Sequence, residues 1–217
     1  VLSFDKLRGI AERIHHYLPA VRTIGAFARI TDVALKSDTE LSELRALGYD
    51  GLTIGIETGD DEALRFMNKG YAASDILEQC QRLDRADIYY SFFYLVGISG
   101  AGRGDFGARQ TAALCNQLHP QIIGANMLTI YPDSELFEEI QRGNWQEAGE
   151  LEKYREVRTL VEHLTIPTTF AAMGASNAVQ MWAVLPKERD KLLSSLDHII
   201  DRASEKELRH YRVNLDH

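Results

Sequence analysis

Tyr49-Asp50-Gly51-Leu52-Thr53-Ile54-Gly55-Ile56-Glu57-Thr58-Gly59-Asp60-Asp61-Glu62-Ala63-Leu64-Arg65-Phe66-Met67-Asn68-Lys69-Gly70 is the stretch whose reading decides the fold. Leu52, Ile54 and Ile56 make a short apolar run of the kind a buried strand needs, thinned by Gly51 and Gly55. Asp60 or Asp61 can then cap a helix that carries Leu64 and Met67. At such a strand-to-helix junction Glu57 and Thr58 fall at the carboxyl end of the strand, where parallel α/β sheets and barrels bind their ligands. A carboxylate in that place, Glu57, needs a partner or water.

The same alternation extends in both directions. Ser3 or Asp5 can cap a helix with Leu7, Ile10, Ile14 and Tyr17 at three- and four-residue spacing, ended by Pro19; His15 and His16 read as surface residues near its end. Residues 23–30 are rich in strand formers, and Arg29, late in the run, has two readings of equal weight: a group facing a ligand, or a guanidinium paired with Asp32 or Glu57. Ser37 or Asp38 precedes a helix through Leu41, Leu44 and Leu47, closed by Gly48. After Gly70 a helix is expected through Ile76, Leu77, Cys80 and Leu83. Residues 88–98 then form the strongest strand, continuous and aromatic.

Gly100-Ala101-Gly102-Arg103-Gly104-Asp105 has neither the ending nor the spacing of a phosphate loop and reads as a mobile connection. A helix over residues 106–118 leads to a further strand, Ile122-Ile123-Gly124-Ala125-Asn126-Met127-Leu128-Thr129-Ile130, with Tyr131-Pro132 after it and a helix opening at Glu135. From Asn144 the composition shifts to long charged helices, over residues 147–164 and 187–208, around an extended piece at 166–177.

The chain has 217 residues, long enough for a substantial core. A net charge of −8 argues against binding driven by phosphate neutralisation, so nucleic acid is not the expected partner. No apolar run is long enough to cross a bilayer as a helix, and the start at Val1 has neither Met nor a signal-peptide pattern; a cytoplasmic protein cut from a longer one is the expectation. Two cysteines, Cys80 and Cys115, give no zinc spacing and no disulfide framework and are read as reduced core residues.

The strand-Gly-x-Glu-Thr-Gly-Asp-Asp junction with Met-Asn-Lys-Gly after its helix resembles the fourth strand and helix of radical S-adenosylmethionine (radical SAM) enzymes. The similarity is strongest to the branch of oxygen-independent coproporphyrinogen oxidases, methylthiotransferases and related Fe-S oxidoreductases. Residues 95–99 resemble the family's fifth strand end, with Ser99 for the usual proline, and Leu128-Thr129-Ile130-Tyr131-Pro132 its sixth, with Asp133 for the usual glycine. Ser176-Asn177 and Leu185-Pro186-Lys187 resemble a tail of one branch, with Gly174 where a His is common.

That resemblance implies a partial (βα)6 TIM-like barrel of parallel strands with helices outside, residues 1–143, and a helical extension over 144–217. It implies S-adenosylmethionine as cofactor, held by Glu57, Thr58, Lys69, Arg29, Leu95, Gly97 and Leu128. Glu57 would take the ribose or the ammonium, Lys69 the methionyl carboxylate, and residues 95–97 the adenine. The family's 4Fe-4S cluster hangs on CxxxCxxC, which this sequence lacks, so the motif is either upstream or lost and the chain alone is expected to be inactive. An intact relative cleaves the cofactor reductively and begins radical chemistry on a small-molecule substrate. Two other readings of the same residues stand beside it: a barrel hydrolase or lyase with Glu57 as general base and Arg29 or Lys69 as anion anchor, and a non-catalytic binding module. A barrel without its first two strands would leave residues 23–30 as an open edge, inviting self-association.

Overall fold

The computed structural model describes residues 2–213. The elements run α1 (Phe4–Tyr17), β1 (Ile24–Ala28), α2 (Ile30–Ala34), α3 (Asp38–Ala46), β2 (Tyr49–Glu57), α4 (Asp61–Phe66), α5 (Ala73–Arg85), β3 (Tyr90–Val96) and α6 (Gly104–Cys115). They continue with β4 (Ile122–Met127), α7 (Glu135–Gln141), α8 (Glu150–His163), β5 (Thr168–Ala172), β6 (Met181–Leu185), α9 (Arg189–Arg202) and α10 (Glu205–Val213). The strands form one sheet in chain order, β1 to β6, parallel from β1 to β5. This is an α/β fold resembling a partial TIM-like barrel.

Strand alternation sorts the side chains. Ile54, Ile56, Tyr90, Phe92, Tyr94, Val96, Ile123, Ala125, Met127 and Phe170 turn to the helical layer and are buried. The other face carries Thr53, Gly55, Phe93, Gly124 and Trp182, linked across the sheet by the pairings Gly55–Phe93, Phe93–Gly124, Gly124–Ala171 and Ala171–Trp182. A Cβ at Gly124 would lie 2.9 Å from the Phe93 ring, so the glycine leaves the aromatic room to lie across the open face. Phe27 and Trp182 are exposed there.

Both sheet ends differ from a closed barrel. β1 pairs with β2 alone, so residues 24–28 form an edge, as the sequence leads one to expect. The strands expected within residues 1–143 are parallel, and at the other end β6, in a region where no strand was expected, runs antiparallel to β5. Residues 144–217, expected to be a helical extension, contribute both β5 and β6 to the sheet. The expected helix 187–208 is two, α9 and α10, and Ile30, expected to end the first strand, instead opens the short α2.

Loop 100–105 is tied down. The Ala101 and Gly102 N–H groups donate to Gln146 O (2.9 Å) and Glu152 Oε1 (2.5 Å), and Arg103 pairs with Asp60 and Glu62 at 3.0 Å each. Backbone donors held in this way leave little freedom, which replaces the expectation of mobility. No helix among the described residues is long and apolar enough to cross a membrane.

Candidate functional site

The β2–α4 junction is built by its own residues. Asp60, almost fully buried, caps α4 by accepting from the Glu62 and Ala63 N–H groups at 3.0 and 3.4 Å. Gly59 lies against α6: a Cβ there would stand 2.7 Å from Gln110 C and 2.8 Å from Thr111 Cα. Its N–H donates to Thr111 Oγ1 at 2.7 Å. Thr58 is wholly buried, and its hydroxyl accepts from Asp60 N–H (3.1 Å) and lies 3.3 Å from Thr111 Oγ1. Thr58 therefore secures the junction from inside and presents no surface to a ligand.

Glu57 is the residue the junction displays. Its φ of 63° is in the left-handed region, costly for a side chain with a Cβ, and the register between β2 and β3 shifts there, between Gly55 and Glu57. Tyr71 OH donates to Gly55 O at 3.0 Å and so fixes the backbone two residues before it. Burial, with Glu57 second, pushes the Tyr71 phenol well above its usual range, keeping it a neutral donor. Lys69 Nζ lies 3.2 Å from Glu57 Oε1, with the side chains 30% and 22% exposed. Opposite charges are thus held together at the carboxyl end of β2, still open to water.

The neighbouring strand ends complete the row. Glu57 pairs in register with Tyr94, one residue before Leu95 on β3, and Leu95 pairs with Asn126 on β4. Gly97, at φ 87°, follows β3, and Leu128 N–H donates to Val96 O at 2.9 Å. The structure therefore brings Glu57, Lys69, Leu95, Gly97 and Leu128 to the adjoining ends of three strands. Arg29, just after β1, is committed elsewhere: its guanidinium donates to Asp32 at 3.0 and 3.2 Å, and its backbone N–H, at the start of α2, donates to the same carboxylate at 3.1 Å. Of its two readings, the pairing with Asp32 is the one observed.

Beneath Gly97 lies a set of residues that the sequence reading missed. Glu156 of α8, buried, accepts from Tyr94 OH at 2.5 Å and from Gly97 N–H at 3.0 Å to each oxygen. Burial raises its pKa to about 7, against the opposing effect of those hydrogen bonds. Lys153, without exposed surface, packs against Gly97 and pairs with Glu147 (2.7 Å) and Glu150 (3.6 Å). Charges at helical spacing ordinarily mark a solvated face, so only the packing of α8 on α6 and β3 reveals them as buried.

The cysteines are on α5 and α6 and buried; burial raises the Cys115 thiol to about 12 and holds the Cys80 thiol well above its usual range. Among the described residues no group of three His, Cys, Asp or Glu could hold a metal ion.

The fold defines the class, an α/β protein of the partial-barrel type. Among solved structures the chain is similar to archaeal Methanocaldococcus infernus Elp3 with its N-terminus deleted, at a TM-score of 0.52 and 15% identity, over 66% of this chain and 32% of that one. It is also similar to TsrM from Kitasatospora setae, a radical S-adenosylmethionine methyltransferase solved with cobalamin and a 4Fe-4S cluster, at 0.51 and 20%, over 64% and 26% of the two chains. TsrM with tryptophan substrate and an S-adenosylmethionine analogue gives the same score and identity. The likeness is one of fold, and this chain spans about a third or less of the length of these proteins. No family model matches the chain, and no curated protein matches it.

Proposed function

We propose that this chain is part of a cytoplasmic radical SAM enzyme and that the carboxyl ends of β2, β3 and β4 hold S-adenosylmethionine. The observation that carries the reading is the Glu57–Lys69 pair, two opposite charges displayed at a strand end in a fold shared with a radical SAM methyltransferase. The methionyl part of the cofactor has an ammonium and a carboxylate, and the two side chains match those charges: Glu57 accepts from the ammonium or the ribose, and Lys69 pairs with the carboxylate. Leu95 and Leu128 supply apolar surface beside them, and Gly97, whose φ of 87° turns the chain at the end of β3 over Lys153 and Glu156, sets where that surface ends.

When bound and reduced at an iron–sulfur cluster, S-adenosylmethionine is the source of radical chemistry in this family. The two buried, neutral thiols of this chain do not fit a cluster, and no step through one is assigned to these residues. The chain's part is to bind, orient and shield the cofactor. The branch, nearest the oxygen-independent coproporphyrinogen oxidases, rests on the sequence motifs, as does a small-molecule substrate. Equilibrium dialysis of S-adenosylmethionine against the chain tests the reading. Saturable binding that weakens tenfold or more in Glu57→Ala, and less in Lys69→Ala, supports it; binding indifferent to both changes assigns the pair to the fold alone.

A further inference from the structure

A second site lies away from the strand ends, under the edge of the sheet. β1 turns Ala26 and Ala28 toward the helices, where β2 turns Ile54 and Ile56 and β3 turns Phe92 and Tyr94. Two alanines cannot fill the layer that isoleucine and aromatic side chains fill next door. The consequence is a pocket of about 310 Å³ between β1 and the helices α1, α2 and α3, lined by Leu7, Leu41, Leu44 and Leu52 among others. Its size is at the small end of the roughly 300–1,000 Å³ typical of ligand sites.

Lys36 also lines this pocket. Its stem is mostly covered, the residue being 7% exposed, while its ammonium keeps accessible surface and has no hydrogen-bond or ion-pair partner among the described residues. A lysine so deeply covered is rare without a counter-charge. The other charge on the lining is Asp32, and both of its oxygens are engaged by Arg29, which leaves Lys36 without a counter-charge among the described residues of the lining. The Lys36 carbonyl is occupied by Arg82, a further positive group behind it.

We infer that this pocket binds a small carboxylate with an apolar tail, the tail against Ala26, Ala28 and the leucines and the carboxylate on Lys36. Each buried methylene would tighten binding roughly fourfold, and a charge-assisted contact shielded from water roughly tenfold or more.

Titration calorimetry with sodium octanoate, sodium hexanoate and octan-1-ol tests this. Octanoate is expected to bind one to one, about fifteenfold tighter than hexanoate and at least about tenfold tighter than the alcohol. Lys36→Met keeps the length of the side chain and removes the charge. It should cost octanoate the same factor and leave octanol unchanged, and Ala28→Leu should abolish both. Absence of saturable octanoate binding, or equal affinity in Lys36→Met, overturns the inference. If Ala28→Leu does not fold, the Lys36→Met comparison decides alone.

Discussion

Lys69 Nζ lies 3.2 Å from Glu57 Oε1 across the short helix α4, and the residue it holds adopts a backbone conformation, φ 63°, that glycine would adopt without strain. A position that tolerates glycine but carries a carboxylate has its side chain for another reason than folding. Glu57→Gly should therefore keep the stability of the protein to within about 1 kcal/mol, because relief of the left-handed strain offsets loss of a half-exposed ion pair and of chain stiffness. Urea unfolding measures it. A loss of about 3 kcal/mol or more would instead make Glu57 a structural residue.

Glu156 gives a pH dependence of defined sign. Its pKa in the folded protein is raised from 4.5 to about 7 by burial, so the protonated form is favoured by folding. The contribution is fully present below pH about 4.5, falls as pH rises and is gone above about 7. It amounts to a few kcal/mol on the order-of-magnitude scale of 1.36 kcal/mol per pKa unit. The charged neighbours on its own helix are Glu152 and Lys153, while Tyr94 and Gly97 N–H face it from β3 and the turn beyond. Glu156→Gln should match the unmodified chain near pH 4.5 and exceed it in thermal stability at pH 8. Equal pH profiles for the two proteins would contradict this.

Anaerobic reconstitution with iron and sulfide should leave the chain colourless, since Cys80 and Cys115 cannot supply three thiolates and both are buried in helices. Stoichiometric iron with the broad visible absorption of a 4Fe-4S centre would refute it.

The edge strand β1 has one partner, β2, and carries Phe27 exposed on its open face with no proline or charge within residues 24–28. Such an edge favours pairing with another copy. Sedimentation velocity should show self-association that Phe27→Lys reduces. A monomer at high concentration in the unmodified chain would show that the edge is protected.

Much of this was legible in the sequence because it is local. The run Leu52, Ile54, Ile56 and the cap at Asp60 each announce themselves within a few residues, and they place Glu57 at a strand end. Arg29 remained open because its choice between Asp32 and Glu57 depends on where the chain turns after β1, and α2 turns it back on itself within three residues. Thr58 looked available because nothing nearby in sequence reveals that Thr111, 53 residues away, lies against it. β6 was missed because Met181, Ala183 and Leu185 alternate over only five residues next to a proline, too short to stand apart from a loop. Lys153 and Glu156 do not stand out from the charged helix around them, and Lys36 is not marked by any motif, because only long-range packing covers them, while their residue types suggest solvent.

The cofactor site itself is tested most directly by amide NMR of the labelled chain titrated with S-adenosylmethionine, which detects weak binding without any cluster. Saturable shifts at Glu57, Lys69 and Gly97, absent in Glu57→Ala, are the expected result. No shifts there, or shifts unchanged by that substitution, would contradict a cofactor site at the ends of β2 and β3.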